Sequence, residues 1–509
     1  MLAAAVLAVA YLLVAPSPAD LAAQTFRADL FADHGFLIWN DFWYAGHSLP
    51  GYSLTYPPLG ALIGPRWVGV LAMLATAACF AVLARDRFGD RARIAVWWFG
   101  AATVTNLISG RITFALGLAF AVAAALALER RRTAMAVGLA VLAALASPVS
   151  GLFLALAAGV AAWLAGPGDR RRGLAVAVAA LASLLVLSLA FPTPGWFPFA
   201  LSAFLPIPLV VLAVLAFVPA EERWLRVGAI AYGGLCAVLA LVHSPVGANA
   251  TRLGSLFAGP LLALALAGRR PLVLAALAVP LLYWQWVAPV RDLADASGDP
   301  ATERSYYAPL LAELDRVARS PVRIEIPPTH DRWEADYVAP RYPLARGWLR
   351  QLESGDFDRF TGGRLTAAGY RRWLDQRAVS YVAVADASLD YIARDEVALI
   401  DRDLPYLRPI WRSAHWRLYR VRRPTPLVAP SGAALAGVGP ADFALDVRRP
   451  GSYLVRIHYT PYWAVTRGSA CVARAGRWTR VEARRPGGIA VAARFSLGGL
   501  FRHDRSCSG

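Results

Sequence analysis

Residues 58–93 read "PLGALIGPRWVGVLAMLATAACFAVLARDRFGDRAR". Up to Ala84 this stretch carries one charge, Arg66; the nine residues that follow hold four Arg and two Asp. A bilayer is crossed by about 20 predominantly apolar residues, and Arg gathers on the cytoplasmic side of such crossings. An apolar run reopens at Ile94 and lasts to Ser109. Apolar run, basic loop, apolar run: the pattern predicts a polytopic α-helical membrane protein.

The pattern repeats outward in both directions. Apolar runs fall at roughly 1–16, 58–84, 94–109, 112–128, 133–147, 151–166, 174–191, 200–219, 227–242, 255–268 and 271–290, and predict about 11 transmembrane helices. The stretch 133–166, broken by "SPVSG", also suits a pair of half-spanning helices. Residues 1–16 are read as a helix, although "SPA" before Asp20 resembles a signal-peptide cleavage site. The loops alternate in character. One set reads "RDRFGDRAR", "ERRR", "GDRRR", "EERWLR" and "GRR"; the other reads "SGR", "SPVSG", "FPTPGWFPF" and "HSPVGANATRLG". The basic set is expected in the cytoplasm, together with the N-terminus. The first loop, 17–57, and everything beyond residue 290 are then extracytoplasmic.

Composition agrees. The chain has 509 residues, 57% hydrophobic and 17% charged, with mean hydropathy +0.46; soluble domains average about 25% charged. The net charge of +18 comes from Arg, since no Lys occurs. That bias suits a GC-rich bacterial genome and hence a bacterial inner membrane. Because the Arg clusters beside apolar runs, nucleic-acid binding is not expected. No CxxC pair or HExxH occurs, and a GxxxxGK phosphate loop cannot occur without Lys, so neither a zincin nor an ATP-driven pump is expected. Cys79 and Cys236 lie in apolar runs as packing residues, whereas Cys471 and Cys507 can pair if their region is extracytoplasmic.

Three regions are expected: a transmembrane domain over 1–290, an α/β region over 291–428 and a β-rich unit over 429–509. "ERSYYAPLLAELDRVA" and "TAAGYRRWLDQ" have helical spacing. "PVRIEIP", "VSYVAVA", "WRLYRV", "SYLVRIHYT" and "IAVAARFSL" alternate as strands. "PPTHDRWEADY" and "PLARGWLRQLE" suit either an acceptor cleft or buried ion pairs.

The first loop is too elaborate for a connector. "ADLAAQTFRADLFADHGF" sets Asp20, Gln24 and Arg27 on one helical face, with Leu21, Phe26, Leu30 and Phe31 free to face lipid or protein, as in an amphipathic helix at the membrane surface. Trp39, Trp43 and Tyr44 suit interfacial anchors or a sugar-stacking platform. An aromatic belt leaves Asp20, Asp33, His34, Asp41 and His47 unexplained.

The passage "PADLAAQTFRADLFADHGFLIWNDFWYAGHSLPGYSLTYPPL" resembles the first extracytoplasmic loop of GT-C-type membrane glycosyltransferases and their bacterial relatives. There an acidic residue follows the first span, and a "W…GH.P…YPPL" passage leads into the second. The layout covers residues 1–290, and the motif match is confined to the first loop. The resemblance implies sugar transfer from a polyprenyl-phosphate donor to an extracytoplasmic glycan, lipid or protein acceptor. It also places the catalytic base at Asp20, with Asp33 and Asp41 as second choices for base, acceptor or metal contacts. Asp20 also suits an N-cap role. His34, Trp39, Trp43, Tyr44, His47 and Tyr56 then belong to the acceptor side. The chain lacks the Asp-Glu or Asp-x-Asp pair of the best-known members, which leaves a divalent cation open; no nucleotide is expected.

Such a reaction needs cations for the departing phosphate. The polar outer loops supply Arg111 and Arg252, with Asn249 beside the latter, and Gly110 and Gly247 permit close backbone approach. The plain alternative is that each Arg snorkels to the interface or pairs with a first-loop Asp. A transporter or lipid flippase is the rival class, but the apolar runs hold almost no charge of the kind that marks a transport path. A non-catalytic scaffold is the third reading.

Overall fold

A computed structural model describes residues 2–501 and Cys507. The chain forms two compact units. A helical unit comprises Met1–Ala32, Gly51–Ser188 and Pro194–Ser297, and a mixed unit comprises Asp33–Pro50, Leu189–Thr193 and Gly298–Gly509. The first loop, 17–57, is therefore not one piece: its middle, Asp33–Pro50, belongs to the mixed unit.

In the helical unit, five segments are long and apolar enough to cross a membrane: Pro65–Ile108, Ile112–Glu129, Pro167–Ala190, Arg223–Leu241 and Pro271–Ala296. A sixth arises if Leu2–Val14 and Ala19–His34, bent by 80°, count as one broken span. The expected eleven are not present as full-length crossings. Thr133–Ala146, Pro148–Leu164 and Leu201–Phe217 are apolar but have 10–17 residues, short of the length a bilayer core requires. Proline sets much of this punctuation. Helices restart at Pro65, Pro148, Pro206 and Pro271, where the missing N–H costs nothing in a first turn.

Two breaks have local causes. Pro65–Ile108 doubles back at Gly89 (φ +56°), so that Phe80 stacks on Phe99 with ring centroids 4.0 Å apart. In a straight helix those residues would lie about 28 Å apart. The 80° bend near residue 15 is held by Arg66, the one charge in its apolar run. Its guanidinium donates to the carbonyls of Ala15 and Pro16 at 2.8 and 2.9 Å, groups that the broken helix leaves free.

Small residues let these helices approach closely. Gly151 meets Ala144 so tightly that a Cβ would lie 2.8 Å from the Ala144 Cα. Ala124, Ala140, Ala143, Ala158 and Ala180 line one cluster, while Phe80, Phe99, Phe114 and Phe153 fill another. The helix Ala19–His34 is enclosed on both faces rather than laid on a surface: Leu21, Phe26 and Leu30 are buried, and so are Gln24 and Arg27.

The mixed unit holds a four-stranded sheet in the order Arg323–Glu325, Val379–Ala385, Trp416–Val421, Leu407–Arg412. Its first pair is parallel and the others antiparallel. Two further antiparallel sheets of four strands follow. One places Gly451–His458 beside Trp478–Ala483, with Tyr453 opposite Val481. The other places Asp442–Val447 beside Gly487–Ala493, with Leu445 opposite Ile489. These four residues are buried, as inward positions of a half-buried sheet should be. Cys471, on the strand Ala470–Ala475, is disulfide-bonded to Cys507.

Candidate functional site

Asp20 stands in the first turn of the helix Ala19–His34. Two arginines distant in sequence converge on it. Arg111 immediately precedes the helix Ile112–Glu129, and Arg252 is the second residue of Thr251–Leu266. Arg111 Nε lies 3.8 Å from Asp20 Oδ2, and an Arg252 terminal nitrogen lies 3.9 Å from the same oxygen.

The glycines explain how the loops reach this point. Gly110 sits at φ +71°, and a Cβ there would lie 2.4 Å from the Leu21 nitrogen and 3.0 Å from the Asp20 carbonyl carbon. Only glycine allows the 109–111 turn to seat against the helix start. Gly247, at φ +45°, lies against the Phe197 carbonyl, where a Cβ would be 2.0 Å from the oxygen. It opens the three-ten turn Gly247–Ala250, which contains Asn249 and leads into the helix that carries Arg252. The Arg252 guanidinium then stacks over the Phe114 ring at 5.3 Å.

A second tier lies on the same helix. Arg27 stacks 3.9 Å above the Tyr52 ring, Gln24 donates to the Tyr52 hydroxyl at 3.3 Å, and the Tyr56 hydroxyl donates to the Gln24 carbonyl at 2.9 Å. Tyr56 is thus a buried support rather than an open acceptor contact. Gln24, Arg27 and Tyr52 are the residues that sequence reasoning left out of the site. The one-face spacing of Asp20, Gln24 and Arg27 was the signal for Gln24 and Arg27; Tyr52, outside that helix, had none.

The cluster is loose and open. The side chains of Asp20, Arg111 and Arg252 are 27%, 25% and 21% exposed, and both separations exceed hydrogen-bonding distance. Asp20 makes no side-chain hydrogen bond among the described residues, so its acceptor capacity is unspent. One carboxylate between two guanidiniums leaves net positive charge, which suits an anion. It does not suit a divalent cation, and among the described residues no group of three or more His, Cys, Asp or Glu is placed to hold a metal.

The other expected site residues lie in the mixed unit, and most are enclosed. Trp43 is 0% exposed; its indole N–H donates to the Ala335 carbonyl at 2.9 Å. The Tyr44 hydroxyl donates to the Gly347 carbonyl at 2.8 Å. His47 stacks on Trp43 at 5.6 Å, and Trp39 meets Trp463 edge-on at 5.9 Å. With Trp39, Trp43, Tyr44 and His47 all buried, no ring face is free for a sugar. Asp41 is buried too, and accepts the Trp39 indole N–H at 2.7 Å. Burial pushes its carboxyl well above the usual range, against the pull of Trp39. An acceptor hydroxyl cannot reach it. Asp33 and His34 are exposed.

The passages 327–337 and 343–353 form buried ion pairs rather than a cleft. Arg332 meets Glu353 at 2.9 Å and Asp390 at 3.0 Å, and Arg346 pairs with Glu325 and Glu396. Burial pushes the Glu334 carboxyl up to about 7, although it accepts the Thr329 hydroxyl. Loss of solvent pushes the His458 imidazole down to about 3, so the neutral ring donates Nδ1–H to the Gly46 carbonyl at 2.9 Å. These groups are paired and enclosed, the opposite of the open Asp20 cluster.

The chain matches no protein-family model, no curated protein and no solved structure.

Proposed function

We propose that this protein is a GT-C-like membrane glycosyltransferase that moves a sugar from a polyprenyl-phosphate donor to a hydroxyl acceptor outside the cytoplasm. In this reading Arg111 and Arg252 hold the donor phosphate with charge-assisted bonds, and Asp20 is the base. The acceptor O–H gives its proton to Asp20 as the new C1–O bond forms. The C1–O bond to phosphate breaks, and polyprenyl phosphate leaves with the bonding electron pair, its new charge held by the two guanidiniums. The basic loops 85–93, 129–132 and 169–172 face the cytoplasm of a bacterial inner membrane, and residues 291–509 face away from it. What supports this is one observation: the open Asp20–Arg111–Arg252 cluster, loose and unspent in a chain whose other charged groups are so often tightly paired.

The test is release of free polyprenyl phosphate from a panel of polyprenyl-phosphate sugars by the protein in liposomes. Asp20→Asn is expected to lower turnover by roughly 10²–10⁴-fold. Wild-type turnover in that variant, or no release by the wild-type protein from any donor, counts against the reading.

A further inference from the structure

A second site lies in the helical unit, away from these residues. A groove of about 760 Å³ runs along the helix Arg93–Ala102, with Arg91 and Arg93 at one end and Trp97, Trp98, Leu282 and Trp286 along its length. From Arg93 to Ala101 the helix rises about 12 Å. The wall is built rather than incidental. The Trp98 indole N–H donates to Gln285 Oε1 at 3.0 Å, and Gln285, itself buried, donates to the Ser255 carbonyl at 2.9 Å. Gly259 makes room for that ring, since a Cβ there would lie 2.3 Å from Trp98 Cζ2. Trp97 and Leu282, by contrast, are 53% and 41% exposed, an apolar surface open to whatever surrounds the helices.

The polar end carries charge that the protein does not neutralise. Arg87, Arg130, Arg131, Arg172 and Arg269 each pair with a carboxylate, at 2.8–3.7 Å. Among the described residues, Arg91 and Arg93 form no ion pair. Asp90 also lines the groove, which leaves one net positive charge there. Arg91 lies against Gly268, where a Cβ would be 3.9 Å from its side chain, so the basic end sits where the helix Thr251–Leu266 has just finished. Basic pockets between membrane helices suit anionic head groups, and Trp suits the depth at which head groups meet acyl chains.

We infer that this groove is a binding site for an anionic glycerophospholipid of the bilayer, its phosphate on Arg91 and Arg93 and one acyl chain along Trp97, Trp98 and Trp286. The site takes a lipid as a resident ligand and needs no part of the transfer reaction. Native mass spectrometry of the protein loaded with equal phosphatidylglycerol and phosphatidylethanolamine tests it. The wild-type protein is expected to retain phosphatidylglycerol preferentially. Arg91→Gln/Arg93→Gln should lower that preference by roughly 30-fold, whereas Arg91→Lys/Arg93→Lys and the paired-arginine control Arg87→Gln/Arg130→Gln should keep it. Trp97→Ala should reduce retention of both lipids. Inorganic phosphate should fail to displace the lipid; displacement would mean an ion site without an acyl slot. An equal lipid ratio in the wild-type protein and the Gln variant, or equal losses in the Gln variant and the control, would overturn the inference.

Discussion

Trp43 and Asp20 show how one loop carries two kinds of residue. Trp43 is wholly enclosed, and Gly347 lies so close that a Cβ there would meet the indole Cγ at 2.6 Å. The neighbouring Phe42 carbonyl accepts the Leu344 N–H at 2.8 Å. These contacts make residues 33–50 part of the mixed unit's core. Trp43→Ala should therefore cost about 3–5 kcal/mol of that unit's stability, read as a lower midpoint for thermal unfolding of the intact protein. Unchanged unfolding with lost sugar binding would restore the stacking platform instead. The aromatic residues were legible as special, but their burial was not. A Trp beside Asp and His has the same composition whether it faces a ligand or a partner 300 residues later in the chain. Asp20 was legible through its position after an apolar run, and Arg111 and Arg252 through being charges in otherwise uncharged, Gly-containing loops. What no spacing rule supplies is that both arginines meet one carboxylate oxygen.

At the level of elements, local pattern served well wherever the element buries one face. The strands Val379–Ala385 and Trp416–Val421 and the helices Arg304–Val317 and Ala367–Gln376 occupy the stretches whose periodicity marks them. Thin strands such as Trp463–Arg467 and Ala433–Val438 escaped, because their burial alternates weakly. Apolar runs were legible as helices but not as crossings. The breaks themselves were legible, at SPVSG between Ala146 and Pro148 and at the basic loop around Gly89; what run length does not reveal is which of the resulting helices is long enough to cross. Sidedness rests on the Arg-rich loops. With Cys79 and Cys236 replaced by Ser and the Cys471–Cys507 disulfide retained, a single Cys at Asp358 should react with an impermeant thiol reagent in spheroplasts. Asp358 is 86% exposed at its side chain. A Cys at Arg171 should react only after the membrane is opened. The reverse pattern would invert the proposed orientation.

Across the whole molecule, charge is distributed by purpose. In the mixed unit, Arg332 and Arg346 are locked into buried pairs with almost no solvent contact, arrangements that are costly to break and closed to substrate. In the helical unit, Asp20, Arg111 and Arg252 are half-open and separated by more than a hydrogen bond. If that cluster exists to hold a lipid phosphate, Asp20 competes with the ligand for both guanidiniums, and its charge is a catalytic necessity that weakens ground-state binding. If it is a structural ion pair, removing any member only loosens the fold. The two cases differ in sign. The deciding measurement is equilibrium binding of a short-chain polyprenyl phosphate to the purified protein and to Asp20→Asn, Arg111→Gln and Arg252→Gln. The expected result is equal or tighter binding by Asp20→Asn and about 10-fold weaker binding by each Arg variant, with all three as thermally stable as the wild-type protein. Weaker binding by Asp20→Asn, or unchanged binding by both Arg variants, would contradict the account.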